Sequence, residues 1–268
     1  MELERGRVID PRVRDRIGEL KTGDLFEVPV DTIVIHYTAG PTIGSAMNGM
    51  RDAGTSAHFL IGRGGQIHQL VGLNRVAHHA GKSAYAGREG FNGFSIGIEV
   101  VNAGPLGRDP QGIYRTWWGG SITPTGVYTG GHIHDSDQIY WEHYTDSELR
   151  VTEEVCDALC RWFPIRHILG HHEISPGRKL DPGPAFPLEE MRDRVLEKRR
   201  NAVEVAADTL LREREPEPVP EPEPVSEAST GALAALLRIV GAVLGRILRR
   251  NRPESGTGHA KPDPGGSR

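Results

Sequence analysis

Residues 32–38 read Thr-Ile-Val-Ile-His-Tyr-Thr, an apolar, β-branched run that ends in polar side chains. A strand that stays apolar at consecutive positions is covered on both faces, so this segment calls for a sheet with helices on either side. A second run, Ser95 to Val101, makes the same demand and carries one carboxylate, Glu99, inside it. Between the two, Ser56 to Ile61 and Gln66 to Val71 flank the turn signal Gly62-Arg63-Gly64-Gly65 and predict a hairpin. A hairpin makes an all-parallel sheet untenable. Helical periodicity runs through Thr42 to Ala53, through Asp146 to Phe163 with Thr145 or Asp146 as N-cap, and from Leu188 to Leu211. Ile165 to Gly170 reads as a further short strand. The fold class expected is α/β: a mixed central sheet flanked by helices on both faces.

The rest of the chain divides by composition. Residues 1–30 are mixed and form an N-terminal segment, and residues 31–211 form the domain. Within it, residues 102–144 are rich in Gly, Pro, Trp and Tyr and read as a long surface excursion with little regular structure. Residues 213–227, EREPEPVPEPEPVSE, alternate Pro with Glu and cannot build a helix or a core, so residues 212–230 are a stiff, self-repelling linker. Residues 231–252 follow as a basic amphipathic helix, and residues 253–268 as a disordered tail. On that helix Arg238, Arg246, Arg249 and Arg250 share one face and Leu233, Leu236, Leu237, Val240, Val243 and Leu244 the opposite one. The arginines argue against a membrane span and for an anionic membrane surface as partner of residues 231–250. A formal net charge of −4 gives no reason to expect nucleic acid. The start, MELERGRVIDPRV, has no apolar stretch, so synthesis without a secretory signal is expected. Cys156 and Cys160 sit four apart on one helix face and read as small core residues.

Chemistry concentrates in two places. His36 ends the first strand, and Gly170-His171-His172-Glu173-Ile174-Ser175-Pro176-Gly177-Arg178-Lys179-Leu180-Asp181-Pro182-Gly183 starts just past another strand and turns back. If those strand ends are neighbours, His36, one of His171 or His172, and Asp181 converge. Two imidazoles and a carboxylate with a fourth position open is the pattern of a catalytic zinc site. Glu99 is a carboxylate in an apolar strand, which is costly unless it has a task. The zinc peptidase signature H-E-x-x-H is absent; His172-Glu173 has no histidine three residues on.

At these residues the chain resembles the zinc-dependent N-acetylmuramoyl-L-alanine amidase family that includes phage lysozyme-type amidases, muropeptide amidases and peptidoglycan recognition proteins. The resemblance is carried by IVIHYTA (33–39), SAHFLIGRGGQIHQLV (56–71), AHHAGKS (77–83), NGFSIGIEVVN (92–102) and GHHEISPGRKLDPGPAF (170–186). It implies that His36, His171 and Asp181 hold one Zn2+ per chain, with His171 and not His172 the ligand. It implies Glu99 and Lys179 as catalytic groups, and peptidoglycan as the substrate. Tyr37, His79, Asn92, Trp141 and Arg178 are the candidates for substrate contact. The chain departs from the family at His78, where many members carry Trp. The expected function is cleavage of the amide between N-acetylmuramic acid and L-alanine. Combined with the tail, it leans towards a phage-type endolysin acting on the wall after release. The alternatives are a cytoplasmic muropeptide-recycling amidase and a non-catalytic peptidoglycan-binding module.

Overall fold

The computed structural model describes residues 1–213. Its centre is a six-stranded sheet of β1 (Val13–Asp15), β2 (Thr32–Tyr37), β3 (Phe59–Ile61), β4 (Ile67–Gln69), β5 (Ser95–Val100) and β6 (His167–Gly170). The spatial order is β6-β2-β5-β3-β4-β1. Every neighbouring pair is parallel except the hairpin β3-β4. The two apolar runs, β2 and β5, lie side by side at the centre, where both faces are covered.

Four helices complete the domain: α1 (Ile43–Ala53), α2 (Asp146–Trp162), the single turn α3 (His171–Ile174) and α4 (Leu188–Glu213). On one face, Ile33, Ile35, Ile96 and Ile98 pack with Val151, Val155 and Leu159 of α2 and Met191 and Val195 of α4. On the other, Leu60 packs with Ala46, Met47 and Met50 of α1, and Val34 with Phe91, Phe94 and Ile174 of α3. This is the mixed, doubly covered sheet that the apolar runs demand. Local sequence sets the helix starts. Thr42 with Ser45 and Thr145 with Glu148 each form a reciprocal capping box, which settles the N-cap of α2 on Thr145.

Two readings change. The first thirty residues are not a separate segment. β1 adds the edge strand to the sheet, Val8 and Val30 join the main core, and Gln69 Oε1 accepts from the Val8 N–H at 2.8 Å. Strands of three residues are too short to show a period of two, so the sequence hid them. The excursion likewise is not irregular. Gly107–Arg108, Tyr114–Arg115 and Ser121–Ile122 form a small antiparallel sheet, and Val127–Thr129 pairs with Tyr140–Glu142. Cys156 and Cys160 are unpaired, and Cys156 is buried in the core as expected. Residues 214–268, which contain most of the expected linker, the amphipathic segment and the tail, lie outside the described residues.

Candidate functional site

The parallel pairing of β6 with β2 puts Gly170 beside Ile35, so the residues that follow, His171 and His36, leave the sheet at the same edge. The loop after α3 folds back under two restraints. Asp181 O accepts from the His172 N–H at 2.9 Å, and Pro182 O accepts from the Tyr144 hydroxyl at 2.8 Å. Asp181 is thereby delivered to the same point. His36 Nδ1 and His171 Nδ1 lie 3.0 Å apart, and Asp181 Oδ2 is 2.9 Å from the first and 3.0 Å from the second. All three side chains are buried, and they are the one metal-ligand cluster found among the described residues. His172 points elsewhere. Its Nδ1 bonds the Asp181 carbonyl at 3.1 Å and its ring packs against His132 and His134.

The hydrogen-bond network fixes which ring nitrogens carry protons. Ser95 Oγ donates to Phe91 O, so it accepts from His79 Nε2 at 3.3 Å. His79 Nδ1 therefore accepts from His36 Nε2 at 3.0 Å, which leaves His36 Nδ1 bare and facing the cluster. His171 Nε2 donates to Ala80 O at 3.1 Å, with the same result at its Nδ1. Two lone pairs and a carboxylate oxygen then converge on one point, an arrangement that repels itself unless a cation sits there. The nitrogen–oxygen donor set is one zinc favours. The edges of the triangle are a little shorter than the ~3.3 Å that bonds of ~2.0–2.1 Å span in a tetrahedron. The residues present fit the ion.

Electrostatics agrees. Burial, reinforced by the neighbouring His171, pushes His36 down to about 4, so it is neutral. Burial also holds His79 well below its usual range, with the adjacent histidines adding to the effect. Burial opposes ionisation of Asp181; its carboxyl is held well below the ordinary carboxylate range only by positive charge at His171 and His36, and with both Nδ1 atoms bare a bound cation supplies that charge instead.

His79 reaches His36 because β5 has no side chain in its path. A Cβ on Gly97 would lie 2.7 Å from Nδ1 and Cδ2 of the His79 ring. This contact connects residues 36, 79 and 97. The sequence reading places His79 among the substrate contacts. The ring does line the cleft, but both of its nitrogens are engaged.

Glu99 is the register partner of His36 on the adjacent strand, so both side chains rise from the same face. Its Oε2 is buried with no hydrogen-bond partner. Burial, then the charge of Asp181, drives its pKa well above the ordinary value, and Lys179 offsets part of the rise. These groups open into a cleft of about 930 Å3, also lined by Tyr37, Trp117, Trp118, Arg178 and Lys179. Burial and the negative charges of Asp181 and Glu99 raise the Tyr37 hydroxyl. One Arg178 nitrogen holds the carbonyls of Ala80 and Lys82 and the hydroxyl of Ser175.

Two expected substrate contacts are corrected. Trp141 is fully buried, donates to Gly130 O at 3.0 Å and lies outside the cleft lining. Asn92 serves the loop of His79: its Oδ1 accepts from the N–H groups of His79 and Ala80 at 3.0 and 2.8 Å. The excursion reaches the cleft through Trp117 and Trp118 instead. The sequence places both in a stretch rich in Trp and Tyr and gives no sign of which rings are buried.

The family model described as N-acetylmuramoyl-L-alanine amidase (Amidase_2) matches residues 27–184. The chain belongs to this amidase family. Among its curated relatives is the 1,6-anhydro-N-acetylmuramyl-L-alanine amidase AmpD of Escherichia coli (strain K12), 35% identical over 133 residues, 49% of this chain and 53% of the relative. The N-acetylmuramoyl-L-alanine amidase AmiD of the same organism is 28% identical over 172 residues, covering 60% of this chain and 52% of the relative. The chain thus spans about half the length of the curated relatives it matches. Among solved structures, a selenomethionine AmpD derivative superposes with a TM-score of 0.49 at 27% identity, over 71% of this chain and 97% of the other.

Proposed function

We propose that this chain hydrolyses the amide between N-acetylmuramic acid and L-alanine in peptidoglycan fragments, using one zinc ion held by His36, His171 and Asp181. The observation that carries the reading is the meeting of three bare donor atoms at one end of a cleft, with the unpartnered Glu99 carboxylate on the neighbouring strand. Zinc bound there lowers the pKa of a coordinated water to about 7 and polarises a carbonyl.

The chain's own groups divide the remaining work. Glu99 takes the proton of the attacking water and returns it to the departing amine. Its raised pKa makes it a stronger base than an ordinary carboxylate, and suits it to hold the proton between the two steps. Lys179 offsets the negative charge that grows on the carbonyl oxygen, where exclusion of water makes a cation most effective. His79 holds the His36 ring and its tautomer.

The relatives' names favour 1,6-anhydro-muramyl fragments as the substrate class, and this reading replaces the phage-type lysis role that the sequence alone suggested. The lytic role and the membrane surface both rest on residues 231–250, outside the described residues. The test is mass spectrometry of an anhydro-muropeptide digest. Free stem peptide beginning at L-Ala supports the proposal. Intact amide, or new reducing ends on a glycan, rejects it.

A further inference from the structure

Trp117 is 74% exposed, the most exposed aromatic side chain in the core domain's large-apolar surface, yet it is held in place. Its indole Nε1 donates to Ala39 O at 2.7 Å. Ala39 follows the metal-ligand strand by two residues and has a φ of +50°, a conformation that costs a non-glycine residue free energy. Trp117 and Trp118 are the two central residues of a turn closed by Gly119 N–H to Thr116 O at 2.9 Å. Their rings stand perpendicular, 5.5 Å between centroids, and both line the cleft. An indole fixed through its polar edge keeps its apolar face available. The only Lys or Arg side chains lining the cleft among the described residues, Arg178 and Lys179, come from a different segment, the loop after α3. A stem peptide that carries carboxylates is matched by charge there. An uncharged pyranose ring is matched by a flat apolar face, against which its C–H groups pack.

We infer that Trp117 is the saccharide platform of the cleft: an N-acetylated sugar ring of the substrate stacks on its exposed indole face while the stem peptide lies towards Lys179. This rests on the amidase reading for the identity of the substrate. The test measures binding of two separate probes by calorimetry: a peptide-free N-acetylglucosamine–N-acetylmuramic acid disaccharide and a sugar-free stem peptide. Trp117→Ala should weaken the disaccharide by about threefold to tenfold and leave the stem peptide within about twofold. Trp117→Phe, which keeps a ring but loses the bond to Ala39, should recover most of the sugar affinity. With muropeptide substrate, Trp117→Ala should raise KM by the same factor with kcat retained, the pattern of lost uniform binding. Unchanged disaccharide affinity in Trp117→Ala, a loss confined to the stem peptide, or no disaccharide binding by the wild type overturns the inference. So does a loss of binding to anionic phospholipid vesicles in place of sugar. If the wild type cleaves no muropeptide, the amidase reading fails, and the disaccharide titration still decides this one.

Discussion

Replacing Gly97 by alanine adds one methyl group on the buried strand β5. That methyl would lie 2.7 Å from two atoms of the His79 ring and closer still to Cγ. The ring has little room to retreat: it is buried, packs edge-on to His58 with centroids 6.0 Å apart, and is bonded at both nitrogens. Overpacking of this kind costs about 1–3 kcal/mol. At roughly 2–4 °C per kcal/mol for a domain of this size, the melting temperature should fall by about 2–12 °C. The displaced ring also releases His36 Nε2, so zinc affinity, measured against a chromophoric chelator, should fall about 10–100-fold. The decisive comparison is a double-mutant cycle. His79→Ala alone leaves His36 Nε2 buried without a partner, at a cost of about 1–3 kcal/mol. Adding Gly97→Ala to it should then cost much less than in the wild type, because the ring that clashed is gone. Equal losses in both backgrounds, or wild-type stability and zinc affinity in Gly97→Ala, would refute the argument that this glycine exists to admit His79.

Four further outcomes are expected. The wild type should hold one zinc per chain by elemental analysis, His171→Ala and Asp181→Ala should lose it, and a metal-stripped preparation that still works at full rate would dismiss the site. Glu99→Gln should keep zinc but lose about 10²–10⁴-fold in kcat. Because burial raises the Glu99 pKa and the ionised form is the base, kcat/KM should fall as pH drops through a value above the usual ~4.3, and a limb at or below that value contradicts the assignment. Trp141→Ala should destabilise the fold by about 3–5 kcal/mol without raising KM at temperatures where it stays folded; a stable variant with a raised KM would put Trp141 back at the substrate.

The sequence by itself determined whatever depends on local pattern. Runs at 32–38 and 95–101 dominated by apolar β-branched residues call for a doubly covered sheet, and Thr42 and Thr145 announce helix starts through hydrogen bonds that span three residues. His36, Asp181 and one of His171 or His172 were legible as a converging set from their places at strand ends and in one loop, and the family resemblance chose His171. What lay beyond reach was pairing between distant segments. Nothing in residues 77–83 states that His79 bonds His36 rather than substrate, because the contact exists only where Gly97 leaves a gap in a neighbouring strand. Nor does aromatic content separate Trp141, buried beneath the excursion, from Trp117, held open at its tip. Burial is decided by which face of a short strand or turn meets the core, and that is set only when the whole chain has packed.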